Sequence, residues 1–275
     1  MIKMGFVRVA ALSPNVTVAD PAANAKSILE LYRKADEQGC SLAVFPELAL
    51  TGCTCGDLYN QTALLKAAES ALCEVLDATE DMDAIAVIGL PVRYMGGIYD
   101  CAAVIQHGQL LGVVPRKSLP RKSELYEART FAPGNDICCD IDYAGRCAPF
   151  CSDLLFSCEE LPAFTFGVAV GDELLSPDAQ GDFLARCGAT VIANPAAACE
   201  LVHREEMRKS LLAAASARLS CAYVMANPSS GESTTDMVFS GHGMIAERGR
   251  ILAENPPFAG DMCKADVDVE MLMAE

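Results

Sequence analysis

Three observations predict an α/β fold. Apolar runs of strand length recur along the chain, amphipathic helical patterns stand between them, and glycine or proline marks most of the boundaries. "FVRVAAL" (6–12) alternates apolar and other residues, as a strand does. Residues 21–38 then place Ile28, Leu31, Tyr32 and Ala35 on one helical face, with Pro21 near the start and Gly39 after the end. "SLAVFPE" (41–47) is a buried strand ending in a carboxylate. Residues 61–78 form a second amphipathic helix through Leu64, Leu65, Ala68, Leu72 and Val75. "AIAVIGLP" (84–91) is a strand, and "IYDCAAVIQHGQLLGVVP" (98–115) is two strands joined at a turn containing Gly108. Residues 116–163, rich in Pro, Gly and charge, are expected to be an extended loop region with short strands. Regular order returns with a strand at 164–170, a helix at about 178–187 and the strand "ATVIANP" (189–195). A long helix at about 204–219, the strand "AYVMAN" (222–227) and a hairpin at 237–255 complete the pattern. No repeat, linker or low-complexity segment interrupts it, so residues 1–275 are expected to form one domain.

Composition narrows the function. Apolar residues make up 52% of the 275 and charged residues 21%, enough for a sizeable core. A formal net charge of −16 repels nucleic acid and anionic membranes, and neither is an expected partner. The amino terminus does not read as a signal peptide, and no window approaches the roughly 20 apolar residues that span a bilayer. A cytoplasmic location is therefore expected. Most of the fourteen cysteines sit in apolar runs and read as buried free thiols. "CTC" (53–55) and "ICCD" (137–140) lack the paired CxxC spacing of a zinc site, and only His107, His203 and His242 could add ligands. No metal or cofactor is expected.

Four stretches could carry chemistry. In "VFPELALTG" (44–52), Glu47 stands at the carboxyl end of a buried strand, where ligand sites of α/β sheets gather. A desolvated carboxylate there suits a general base; it can equally begin a surface loop. "VVPRKSLPRKSELYEARTFAPG" (113–134) packs Arg116, Lys117, Lys122 and Glu127 into a stretch that reads either as a solvated charged loop or as part of a site. "NPSSGESTTDMVFSG" (227–241) offers hydroxyls for a pocket or for turns. In "TFGVAVGDELLSP" (165–177) a buried strand stops at a corner, Gly171, followed by two acids. Such corners often present a reactive side chain, and this one has none.

The order "FPEL-LTG", "VP-K-LP", "YEAR-F-PG", "FGV" with a following acid pair, and "GESTTD-VFSGH-MIAE" resembles the nitrilase, or carbon–nitrogen hydrolase, superfamily. It is most similar to the amino-terminal glutaminase domains of bacterial glutamine-dependent NAD synthetases, over about residues 4–272. The resemblance implies a four-layer αββα sandwich and hydrolysis of glutamine to glutamate and ammonia. A cysteine nucleophile, a glutamate base, a lysine and a second glutamate would carry that reaction. Glu47 falls on the base and Glu127 on the second glutamate. The lysine position holds Arg116, with Lys117 one step late, and the nucleophile position holds Gly171. Substrate-pocket positions fall on Cys53, Lys122, Tyr126, Asp172, Leu175, Ala196, Ala198 and Arg204. Of these, Cys53, Lys122, Leu175, Ala196 and Ala198 depart from the family's residues. Replacement of the nucleophile by Cys158, Cys187 or Cys199 is disfavoured. The expectation is an impaired or inactive glutaminase-type domain, with a non-catalytic scaffolding, oligomerising or ligand-binding role as the alternative. The family also implies homo-oligomers and a partner synthetase domain, of which this sequence contains no ATP-binding "SGG" loop.

Overall fold

The computed structural model describes residues 5–119 and 127–274, with Glu127 described by its backbone alone. The chain builds two sheets. The first runs in the order β14-β1-β2-β3-β4-β5-β7-β6 and the second in the order β13-β12-β11-β10-β9-β8. In the first, β1 (Phe6–Leu12), β2 (Leu42–Val44) and β3 (Ile85–Tyr94) are parallel, and β4 (Gly97–Gln106) and β5 (Gln109–Pro115) continue antiparallel. The hairpin β6 (Cys138–Tyr143) and β7 (Arg146–Cys151) extends one edge, and β14 (Met262–Asp268) pairs with β1 at the other. In the second sheet, β9 (Thr165–Val168), β10 (Val191–Pro195) and β11 (Ala222–Ala226) are parallel. They are flanked by β8 (Leu155–Ser157) and by the pair β12 (Met244–Glu247) and β13 (Arg250–Glu254).

The two-residue period of the strands sorts their side chains into layers. Val7, Val9 and Ala11 of β1, with Leu42 and Val44 of β2, face Val191, Ala193 and Val224 of the other sheet. Ala10, Leu12, Ala43 and Phe45 face the opposite way, onto α1 (Pro21–Glu37) and α2 (Thr62–Asp77). Across the second sheet, Ile192 and Tyr223 meet Leu184 of α3 (Gln180–Arg186) and Leu212 of α4 (Arg204–Leu219). The architecture is a four-layer αββα sandwich. A short α5 (Val269–Met273) follows β14. No helix among the described residues is long and apolar enough to cross a membrane.

The helices begin where the sequence signals them. The Asp20 carboxylate accepts the Ala23 N–H at 3.1 Å and Pro21 opens α1, so an orphan donor is capped and a fixed φ starts the helix. Residues 116–163 contain a clean hairpin, β6–β7, as well as loop. The sequence reading did not assign β14 or α5.

One close approach sets the position of the loop after β2. A Cβ on Gly89 would lie 2.2 Å from the Pro46 carbonyl oxygen and 2.4 Å from the Leu48 nitrogen. Backbone atoms cannot step aside as a flexible side chain can. Gly89→Ala is therefore expected to lower stability by about 3 kcal/mol or more, read as a shift in the urea midpoint.

Candidate active site

The carboxyl ends of β2, β5, β9 and β10 converge on one point between the sheets. Glu47 follows β2, Arg116 follows β5, Gly171 follows β9, and Ala196 follows β10. The Arg116 Nη1–H donates to Glu47 Oε1 at 2.9 Å, and the same nitrogen lies 3.7 Å from Asp100 Oδ2. All three side chains are buried, Glu47 at 2%, Arg116 at 5% and Asp100 at 1% exposure. Asp100 comes from β4, whose neighbouring residues Ala102, Ala103 and Val104 are apolar. Its carbonyl also accepts the Arg116 N–H at 2.7 Å, which fixes where the arginine leaves the strand.

Glu47 is held by its backbone as well. Its N–H donates to the Ala196 carbonyl at 3.2 Å, across the sheet–sheet boundary. The next residue, Leu48, takes a left-handed φ of +54°, a conformation unfavourable for a residue with a branched side chain. The surrounding contacts over-determine this turn: Gly89 sits beneath it, and the Thr51 and Gly52 N–H groups both donate to the Leu48 carbonyl.

The corner at Gly171 has a φ of +95°. Its N–H donates to the Pro195 carbonyl at 2.8 Å. The Asn194 Nδ2 donates to the carbonyls of both Ala169 and Gly171, at 2.6 and 2.9 Å. A Cβ on Gly171 would stand 2.4 Å from the Arg116 Cζ and Nε atoms. The guanidinium thus occupies the space into which a side chain at 171 would project.

The remaining predicted residues fall into distinct places. Lys117 points away from Glu47: its Nζ pairs with Asp153 at 2.9 Å and lies over the Phe183 ring at 4.4 Å. Arg116, and not Lys117, is therefore the cation beside Glu47. Asp172 lies 3.9 Å from Arg204 Nη1, linking the corner to the start of α4. Leu175 is 46% exposed, on the turn Glu173–Leu175. Ala196 and Ala198 are buried, and the Ala198 N–H donates to Asn227 Oδ1 at 3.0 Å. Cys53 is buried in an apolar cluster with Leu48, Tyr59 and Phe131. Burial first, then the Glu232 carboxylate, push its thiol well above the ordinary range. Cys199 joins the same cluster, Cys158 follows β8, and Cys187 ends α3 at the surface. Glu127 opens a short 3-10 turn, Glu127–Arg129. Lys122 and Tyr126 lie outside the described residues. Among the described residues no group of three or more His, Cys, Asp or Glu could hold a metal ion.

Sequence reasoning missed four residues that hold this region. Asp100 was signalled by a charge inside an apolar strand, and Asn194 by an amide at a strand end. Glu232 accepts from the Cys53 N–H at 2.7 Å, the Thr54 N–H at 3.1 Å and the Thr54 hydroxyl at 2.5 Å, so it pins the loop after Gly52 to the "GESTTD" segment. Glu173, the second acid of the corner, is buried. It accepts the Gly181 N–H at 2.8 Å and the Tyr223 hydroxyl at 3.1 Å.

The sandwich, with its carboxylate and cation at adjoining strand ends, is that of a carbon–nitrogen hydrolase. The family model for carbon-nitrogen hydrolases matches residues 8–274, and the chain belongs to that family. Its relatives include the glutamine-dependent NAD(+) synthetase of Mycobacterium tuberculosis, 41% identical over 273 residues, which cover 98% of this chain and 40% of that protein. The chain thus spans about two fifths of the length of that curated relative. A solved glutamine-dependent NAD(+) synthetase from Cytophaga hutchinsonii shares the fold with a TM-score of 0.82 at 24% identity, covering 95% of this chain and 43% of the other. A Nesterenkonia amidase, solved with an acetamide moiety added covalently at its active-site cysteine, shares it with a TM-score of 0.73 at 19% identity. That match covers 98% of this chain and 93% of the amidase.

Two measurements follow. Glu47→Gln keeps an oxygen that can accept from Arg116 but removes the charge opposite the buried guanidinium, so it should lower stability by about 2–3 kcal/mol in denaturant unfolding. Glu173 behaves differently. Burial pushes its carboxyl from 4.5 up to about 7, against the stabilising hydrogen bonds from Gly181 and Tyr223. Its folded value is raised, so the folded chain binds more protons than the unfolded one between those values. Stability should therefore fall as pH rises from about 4.5 to about 7. Glu173→Gln should flatten this slope and gain about 2–3 kcal/mol at pH 8.

Proposed function

We propose that this chain is a glutaminase-type domain of the NAD synthetase lineage that no longer hydrolyses glutamine. The observation that carries the reading is the Arg116 guanidinium, paired with Glu47 and seated 2.4 Å from where a Cβ of residue 171 would be. Covalent amide hydrolysis needs a nucleophile at the substrate carbonyl and a base free to take its proton. Gly171 supplies no nucleophile. Glu47 Oε1 accepts from a guanidinium, a cation that does not give up its proton at physiological pH. Arginine is longer and wider than lysine, and its fork fills the volume that a cysteine would need. Cys53, the thiol placed on the family's pocket, is buried beside a carboxylate and favours its neutral form, the poor nucleophile. The loss of the nucleophile and the change from lysine to arginine therefore belong together: a glycine at 171 leaves the room in which the guanidinium lies.

A self-associating role is the second reading, favoured by one surface feature. Leu201 and Val202, at 53% and 90% exposure, precede α4, and Met207 on its first turns is 38% exposed. Such a run of apolar side chains on the surface suits a protein interface. Sedimentation equilibrium tests it: a monomer at all concentrations would sink the association.

The catalytic reading is tested by ammonia release from glutamine. The expected rate equals the no-protein background. Release above background that vanishes in Glu47→Gln would overturn the proposal. Gly171→Cys alone should stay inactive and lose about 1–3 kcal/mol of stability, because its Cβ meets the guanidinium. Adding Arg116→Lys should recover part of that loss, giving a coupling energy readable in a double-mutant cycle.

A further inference from the structure

The β6–β7 hairpin carries a feature that amide chemistry does not use. Its two-residue loop is Ala144–Gly145, with φ of +50° and +69°, as a type I′ turn requires. Such a turn is closed by a hydrogen-bonded pair, here Tyr143↔Arg146, and the ladder alternates from there. Counting outward, Asp142↔Cys147, Asp140↔Pro149 and Cys138↔Cys151 are the non-hydrogen-bonded pairs. Opposed residues in such pairs approach to a Cα separation of about 4.5 Å, with their side chains on one face. A disulfide spans Cα separations of about 4.4–6.8 Å. Burial raises the Cys151 thiol above its ordinary range, and the neighbouring Cys138 thiol adds to the shift. Both are free; Cys138 is exposed and Cys151 is buried.

We propose that Cys138 and Cys151 form a reversible dithiol–disulfide site, oxidised by exchange with a low-molecular-weight disulfide. The exposed Cys138 thiolate attacks one sulfur of the small disulfide, forming a mixed disulfide and releasing one small thiolate. Cys151 then loses its proton and its sulfur attacks Cys138 Sγ, expelling the second small thiol. Two electrons pass from the protein dithiol to the small disulfide, which leaves as two thiols. Neighbouring cysteines do not compete on this face. Cys139 points to the other side, where its thiol donates to the Tyr94 hydroxyl at 3.2 Å, and Cys147 stands opposite Asp142. The bond would tie together two segments that flank the site. Four residues before Cys138, the Gly134 N–H donates to the Arg116 carbonyl at 2.8 Å. Two residues after Cys151, Asp153 accepts from Lys117 at 2.9 Å and from Gln180 at 2.8 Å.

The test uses the folded chain and glutathione disulfide. After incubation, remaining thiols are alkylated with iodoacetamide and the unreduced digest is mapped by mass spectrometry. The expected result is a linked peptide pair joining Cys138 to Cys151, with loss of two reactive thiols per chain and their return on adding dithiothreitol. Cys138→Ser should abolish the linked pair, and Cys147→Ser should leave it in place. A lasting glutathione adduct on Cys138, a bond from Cys138 to any other cysteine, or no reaction in a chain with native circular dichroism would each overturn the proposal. None of these outcomes depends on whether glutamine is hydrolysed.

Discussion

The ion pair between Arg116 and Glu47 is the interaction around which this site is arranged. Two charges out of water are tolerated only when each faces an opposite charge at hydrogen-bond distance. The strands meet that demand. β2 delivers the carboxylate, β5 the guanidinium, β4 a second carboxylate from Asp100, and the glycine after β9 leaves the room in which the guanidinium lies. Moving any one of these strands by a residue would reverse which face its side chains take, and would separate the charges. The pair thus ties the register of one sheet to the corner of the other.

The backbone around the pair is correspondingly constrained. Leu48 is held at positive φ, Gly89 leaves no room for a methyl group beneath it, and Asn194 clamps the carbonyls on both sides of Val170. Glu232 and Glu173 do similar work one layer out, each accepting from a backbone N–H and a hydroxyl. Buried acceptors satisfied in this way hold loops in one conformation, because leaving any of them unmet would cost more than the bond contributes. In this carbon–nitrogen hydrolase scaffold, contacts from both sheets hold the loops around the Arg116–Glu47 pair.

Most of the fold was legible in local pattern. The helices at 21–37 and 62–77 show one apolar face and recognisable ends, and the buried strands read as short apolar runs between turns. β14 did not: "MCKADVD" alternates as β1 does, but Lys264, Asp266 and Asp268 leave it no run of apolar residues to mark a strand. The hairpin at 138–151 was blurred because its cysteines, aspartates, Pro149 and Arg146 leave few apolar residues to show the period. At the site, motif order located Glu47, Arg116 and Gly171 but could not say which of Arg116 and Lys117 turns inward. That depends on the strand parity of β5, which places Arg116 toward Glu47 and sends Lys117 to Asp153. Asp100 and Asn194 stood out as polar residues in apolar strands, but their roles could not be read because their partners lie far away in sequence.

The contact between Gly171 and Arg116 also couples the order in which the two positions could change. With a side chain at position 171, the guanidinium could not keep its present seat, so a glycine at 171 makes room for an arginine at 116. Once both are present, restoring a side chain at 171 passes through a collision unless position 116 changes beforehand. Each step back is unrewarded until the other has been taken. The glycine opens a door, and the arginine closes it from the inside.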